Sequence, residues 1–301
     1  MIYLPDTLID QLLLDDIQYG DLTTRALGLH SQMGVITFTS KFGGCISGLN
    51  IAKRMLEKLG ISCDCHFQDG QLVEPQSVLI SATGPIEALH QGWKAVQNVL
   101  EWCSGVSHYT QQMVSILRQY QPDGQLACTR KTIPHTKPLA LTAILAGGAI
   151  IHRAGSAESI LLFTNHRQCL ENPDDWASHI KTLRQAAPEK MIIVEADDYE
   201  QAILAINAQA DIVQLDKLPI EQIQQLQEHT KQQNRPCRLS IAGGINLKTI
   251  EAFAQTGVPL LVTSAPYYAA PRDIKVKICC ALIKMDTLIK EYIHFKYKMS
   301  K

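Results

Sequence analysis

Two pairs of basic side chains, Arg130-Lys131 and His152-Arg153, each stand just after a short apolar run, Leu126–Cys128 and Ala149–Ile151. A guanidinium offers a planar fork of donors that matches carboxylate or phosphate, so two such pairs could grip a multiply anionic ligand. Glu195 and Asp216 close two further apolar runs, Met191–Val194 and Ile212–Leu215. Paired carboxylates on neighbouring strands suit Mg²⁺ or the hydroxyls of a ribose. Gly243-Gly244 follows the run Leu239–Ala242, ahead of a helical pattern expected from Asn246. A glycine turn that feeds a helix N-terminus can cradle a phosphate. Thr164, Asn165 and His166 follow Ile160–Phe163, and Thr263-Ser264 follows Leu260–Val262. Cations, acids and a glycine turn together point to a phosphorylated sugar with a second anionic partner. Each element alone has a plain alternative: an ordinary ion-pair arginine, a half-buried histidine, a strand–helix junction, a helix cap. Seven run ends that agree are harder to explain by packing.

Such residues can meet only if the apolar runs are parallel strands with helices between them. From about residue 120 the pattern alternates strictly. The helical stretches are Lys137–Ala146, Trp176–Ala186, Asp198–Gln209, Pro219–Lys231 and Asn246–Gln255. Ala202, Ile203 and Ile206 form one apolar stripe, and Pro219 stands where a helix starts. Repeated strand–helix units imply a parallel sheet with helices outside it. Six or seven units suggest an α/β barrel, closed or incomplete, whose chemistry gathers at the C-terminal strand ends; a doubly wound open sheet competes. The first hundred residues mix periods. Val35–Phe38 and Val78–Ala82 read as strands, Leu49–Leu59 as a helix, and Ala88–Leu117 as one or two helices. Residues after Ile274 read as an amphipathic, finally basic tail ending Phe295-Lys296-Tyr297-Lys298 that packs back on the N-terminal part.

The bulk numbers narrow the classes. The chain has 301 residues, 46% hydrophobic and 19% charged, as for a globular protein with a sizeable core. A net charge of −1 gives no global field toward nucleic acid or anionic lipid, so an anion site must come from local cations. Asp6, Asp10, Asp15 and Asp16 are incompatible with a secretory signal, and the longest uncharged apolar run, Leu139–Ile151, is interrupted by Gly147-Gly148. That run is short of the ~20 residues a membrane helix needs. Nine irregularly spaced cysteines, with no pair of CxxC units, read as reduced thiols, and the expected setting is cytoplasmic.

The strand-end residues also carry a family resemblance. Thr129-Arg130-Lys131-Thr132-Ile133-Pro134 resembles the TRKT-P motif of quinolinate phosphoribosyltransferases. Gly147-Gly148 with His152-Arg153 and Asn165-His166, the acidic ends Val194-Glu195 and Leu215-Asp216, and Gly243-Gly244-Ile245 are similar to that family's successive strand ends and phosphate loop. Asp15-Asp16 and Gly20-Asp21-Leu22-Thr23-Thr24 resemble its opening motif. The resemblance runs from roughly residue 10 to 275, with order and spacing kept.

It implies an N-terminal α/β-sandwich domain, residues 1–105 with the tail 275–301 packed on it, and a C-terminal open α/β barrel, TIM-like, over 106–274. It implies a homodimer with shared sites, in which one subunit's N-terminal domain covers the other's barrel and Lys94 reaches a neighbour's barrel. Phosphoribosyl diphosphate, a small acceptor and Mg²⁺ are the implied ligands. Lys131, Glu195 and Asp216 are the implied catalytic residues, with Glu195 and Asp216 also toward the metal. Lys94, Arg130, His152, Arg153, Phe163, Gly243, Gly244 and Ser264 are the implied substrate contacts. Four positions depart from the family pattern. Trp93-Lys94 replaces Glu-Arg, Phe163 a lysine, Ala242 the serine of the phosphate loop, and Ser240 a glutamate two positions earlier. The Trp-Lys pair, the string Thr129–His135 and Ala265-Pro266-Tyr267 resemble the branch associated with molybdate transport and regarded as pyrophosphorylases. The expectation is a phosphoribosyltransferase with an acceptor other than quinolinate. Three rivals stay open: a true quinolinate phosphoribosyltransferase of NAD biosynthesis, a non-catalytic oxyanion-binding protein, and a Schiff-base aldolase using Lys131.

Overall fold

A computed structural model describes residues 2–30, 32–232 and 237–280. The described residues fall into two compact units, one within 2–108, Pro138–Ala146 and 270–280, the other within Tyr109–Lys137 and Gly147–Ala269.

The first unit opens with α1 (Asp6–Ile17) and α2 (Leu22–Ala26), followed by β1 (Met33–Ser40), β2 (Gly44–Cys45), α3 (Leu49–Lys58), β3 (Ser62–Cys65), β4 (Leu72–Val73) and β5 (Val78–Pro85). The long helix α4 (Ile86–Tyr120) is continuous, so the stretch read as one or two helices is one. Along β1 every second residue is buried, including Ile36 and Phe38, which is the period of a strand with one face on a core. The antiparallel sheet also contains a strand taken for an amphipathic tail, Ile274–Cys280, paired to β1 from Gly34↔Cys280 to Ser40↔Ile274. Ile274, Val276 and Ile278 alternate with Lys275 and Lys277, a period of two that the charge count concealed. The basic end of the chain, 281–301, lies outside the described residues.

In the second unit seven strands follow: β6 (Gln125–Cys128), β7 (Ile150–Ile151), β8 (Ile160–Leu162), β9 (Ile192–Ala196), β10 (Ile212–Asp216), β11 (Arg238–Ala242) and β12 (Leu260–Thr263); Ile274–Cys280 is then β13. The helices between them in sequence are α5 (Lys137–Ala146), which from Pro138 on belongs to the first unit, and α6 (Thr164–Arg167), α7 (Trp176–Ala186), α8 (Tyr199–Asn207), α9 (Ile220–Lys231) and α10 (Ile250–Ala254). The order β7-β6-β12-β11-β10-β9-β8 is parallel throughout. The curled sheet stays open between β7 and β8, so this is an open α/β barrel and not a doubly wound sheet. Its interior packs in two groups, Leu161, Ile193 and Ile212 with Phe163 and Leu260, and Ala127, Ala242 and Val262 with Leu260.

Two boundaries move against the sequence reading, and both concern the site. Phe163 is not the last residue of β8 but the N-cap of α6. The helix after the glycine turn begins at Ile250 and not at Asn246. Asn246 accepts the Lys248 N–H at 2.9 Å, and Thr249 donates to the Gly244 carbonyl at 2.7 Å. Short polar side chains that bond nearby backbone in this way compete with the first helical turn.

Candidate active site

One cavity of about 600 Å³ opens at the C-terminal ends of the strands of the second unit. It is lined by Arg130, Lys131, His152, Arg153, Phe163, Glu195, Asp216, Gly243, Gly244 and Ser264, every implied catalytic residue and substrate contact except Lys94; of the strand-end residues, Thr164, Asn165 and His166 are not in its lining. Lys94 belongs to the first unit, on α4, where its ammonium lies 4.2 Å from the Trp93 ring centroid and donates to Gln97 at 2.8 Å.

The parallel register explains the convergence. Glu195 pairs with Gln214 across β9 and β10, and Asp216 pairs with Ala242, the last residue before the glycine turn. Gly243 and Gly244 have φ of +88° and +72°, in the left-handed region that favours glycine. A Cβ on Gly243 would stand 2.4 Å from Lys217 Cγ, whereas one on Gly244 would meet nothing within 4 Å. The turn therefore brings bare backbone to the cavity wall. Thr129 shares a 2.5 Å hydrogen bond with Ser264, and the Tyr267 hydroxyl donates to the Thr129 carbonyl at 2.7 Å, fixing the strand ends that carry Arg130 and Lys131.

Sequence reading missed Gln214 and Lys217, which also line the cavity. Gln214 is buried and donates to Glu195 Oε2 at 3.0 Å. Its signal was a single polar residue inside an otherwise apolar strand. Lys217 donates to Asp216 Oδ2 at 3.1 Å. Arg153 and Lys217 both hold positive φ, +62° and +57°. Strained backbone of this kind persists where the surroundings over-determine it, typically at binding sites.

The charges are unbalanced in a useful way. The lining has four permanent cations, Arg130, Lys131, Arg153 and Lys217, against two carboxylates. Lys217–Asp216 is the single ion pair among these described residues. Burial, then Arg153 and Arg130, push the His152 imidazole below its ordinary range, so it is neutral at neutral pH. Burial, then the Asp216 and Asp197 carboxylates, hold Glu195 above the usual carboxylate range, with the Gln214 amide and Lys131 opposing.

A raised carboxylate contributes stability below its unfolded pKa and loses it as pH rises through the folded one. The ionised pair therefore costs stability at neutral pH. Glu195→Gln keeps an acceptor for Gln214 and is expected to raise Tm by about 1–3 °C at neutral pH, a small value because the site is half exposed. The gain should vanish below the ordinary glutamate pKa of about 4.3. Calorimetric melting at the two pH values checks it; an equal gain at both would remove charge repulsion as the cause.

The comparisons with known proteins give the family and the fold. Residues 21–104 match the model of the quinolinate phosphoribosyl transferase N-terminal domain, and residues 106–277 match that of its C-terminal domain. The chain is 52% identical to the protein named "Putative pyrophosphorylase ModD" of Escherichia coli O6:H1, over 92% of this chain and 98% of that one. It is 30% identical to the protein named "Probable nicotinate-nucleotide pyrophosphorylase [carboxylating]" of Synechocystis, over 91% and 92%. The solved nicotinate-nucleotide pyrophosphorylase of Francisella tularensis shares the fold, with a TM-score of 0.83 at 23% identity, over 92% of this chain and 98% of that one. With both halves matched in order and relatives aligned over nearly its whole length, the chain belongs to the quinolinate phosphoribosyl transferase family.

Proposed function

We propose that the chain is a pentosyltransferase that moves phosphoribosyl from phosphoribosyl diphosphate to a small acceptor in this cavity and releases diphosphate. The observation that carries the reading is the pairing, in one cavity, of a cation surplus and a bare glycine turn with two carboxylates at the ends of adjacent strands. The acceptor's nucleophilic atom would attack C1 of the ribose as the bond from C1 to the diphosphate oxygen breaks. The ring becomes oxocarbenium-like, and no side-chain nucleophile is needed. Arg130, Lys131 and Arg153 hold anionic groups of the acceptor, and Gly243-Gly244 with Lys217 hold phosphate. Stabilisation of charge as it develops is the main contribution such preorganised groups make.

Glu195 and Asp216 fit Mg²⁺. The Asp216 charge raises the cost of ionising Glu195, and a cation between them would relieve it. Two carboxylates completed by substrate oxygens is the arrangement Mg²⁺ commonly takes. When bound, it would neutralise the leaving diphosphate. The test is titration calorimetry. Phosphoribosyl diphosphate should bind at micromolar to millimolar concentration with Mg²⁺, and binding of molybdate instead, with no phosphoribosyl diphosphate binding, would favour the oxyanion-binding rival.

The working unit in this proposal is a homodimer with shared sites, Lys94 serving the neighbour's barrel. Mixing inactive Lys94→Ala with inactive Arg130→Ala subunits should restore part of the activity, since one site per mixed dimer would be intact. A monomer by sedimentation at micromolar concentration would rule this out. All nine cysteines are free, which supports a reducing, cytoplasmic setting. No described helix is long and apolar enough to cross a membrane.

A further inference from the structure

A second, smaller cavity of about 190 Å³ lies in the same unit, beside the opening between β7 and β8. It shares His152 and Arg153 with the larger cavity. Its walls are largely apolar, from Ile150 and Ile151 to Ile193 and Ile212. Set in those walls are three polar atoms that are buried and have no hydrogen-bond partner among the described residues: Ser159 Oγ, Ser240 Oγ and Arg153 Nε. Ser240 is fully buried and Arg153 is 9% exposed. Buried polar groups are almost always paired, by protein, water or ligand, because an unmade hydrogen bond is costly. Three such side chains in the lining of one pocket point to an occupant, ordered water or ligand.

The chemistry of the occupant follows from the charges. Arg153 is the one permanent cation of the lining and Glu158 its one carboxylate, so the pocket is neutral while the larger cavity is cationic. A second carboxylate of a ligand would gain no net attraction there. Two hydroxyls and a guanidinium N–H instead offer donors to a neutral acceptor atom. A cavity of about 150 Å³ is enough for benzene, so one six-membered ring fits.

We infer that Ser159 and Ser240 determine acceptor specificity, by binding a neutral carbonyl on a single-ring heteroaromatic acceptor whose one carboxylate faces Arg130 and Lys131. This rests on the transferase reading, which supplies the need for an acceptor. Ser240 pairs in register with Gln214, whose amide holds Glu195, so the ring would be bound along the same row of inward side chains as the acidic centre.

The probes are uracil-6-carboxylate, which has ring carbonyls, and pyridine-2-carboxylate, which has none. Binding is measured in the presence of Mg²⁺ and phosphoribosyl diphosphate. The wild type should bind the first about 10-fold or more tightly than the second. Ser159→Ala and Ser240→Ala should each weaken the first by about 5- to 10-fold, the worth of one neutral hydrogen bond, and leave the second unchanged. Affinity for phosphoribosyl diphosphate should not move in either variant. Equal binding of the two probes, or serine variants that bind the first as well as wild type does, would mark a pocket filled by water and overturn the inference while leaving the transferase reading intact. Failure to bind phosphoribosyl diphosphate as well would overturn both.

Discussion

Asp216→Asn should weaken phosphoribosyl diphosphate binding about 10- to 100-fold when Mg²⁺ is present, the usual worth of a charge-assisted contact. Asp216 is the last residue of β10 and stands in register with Ala242, so its carboxylate borders the glycine turn directly. It is also the ion-pair partner of Lys217. The two roles pull in opposite directions, which makes the variant informative. Removing the charge deprives a divalent cation of one ligand, yet it frees the Lys217 ammonium for a phosphate. Without Mg²⁺ the variant should therefore bind as well as wild type, or somewhat better. Titrations at several Mg²⁺ concentrations separate the cases. Equal weakening with and without the cation would mean that Asp216 contacts the sugar or only positions Lys217, and its assignment toward the metal would be withdrawn.

The strand ends were legible because most of the parallel strands are short, largely buried and largely apolar runs, and the residue that breaks the run is the one that reaches the mouth. Leu126–Cys128 before Thr129-Arg130 and Leu239–Ala242 before Gly243 show this directly. The inward alternation within a run was not legible, because both faces of these strands are covered and the apolar pattern is nearly continuous. Gln214 consequently went unread, although in register with Ser240 it forms the polar row beside Glu195. The β13 strand failed for another reason. Its lysines occupy exposed positions on the open face of an edge strand, and in sequence they merge with the basic residues that follow, so the stretch reads as an amphipathic, basic tail. Asn246 was misplaced because capping chemistry looks the same in sequence whether it starts a helix or delays one. The single length of α4 is set by continuous packing of Val96, Leu100, Met113 and Leu117, all buried, which no local signal divides.

Phe163→Lys should raise affinity for quinolinate by about 10-fold or more, the worth of one charge-assisted contact to a second carboxylate. Phe163 lines the larger cavity, half-buried, with one face on the apolar group of Leu161, Ile193 and Ile212 and its ring stacked at 5.8 Å on His166. It therefore does two things at once: it packs the barrel interior and it presents an apolar surface to whatever the cations hold. A dicarboxylate bound here would bury one carboxylate near that ring without a paired cation, and uncompensated desolvation of a charge is expensive. Lysine at this position can keep part of the packing through its aliphatic stem and deliver its ammonium to the cavity. Losing the ring from a half-buried site should still cost about 1–2 kcal/mol of stability, below the range for a fully buried aromatic. Phe163→Met removes the ring without adding charge and supplies the control. If methionine improves quinolinate binding as much as lysine does, the ring acts by occupying space and not by its lack of charge. The wild type should turn quinolinate over poorly or not at all. Efficient formation of nicotinate mononucleotide from quinolinate by the unmodified chain would defeat this account, because the cations already present would then suffice for both carboxylates.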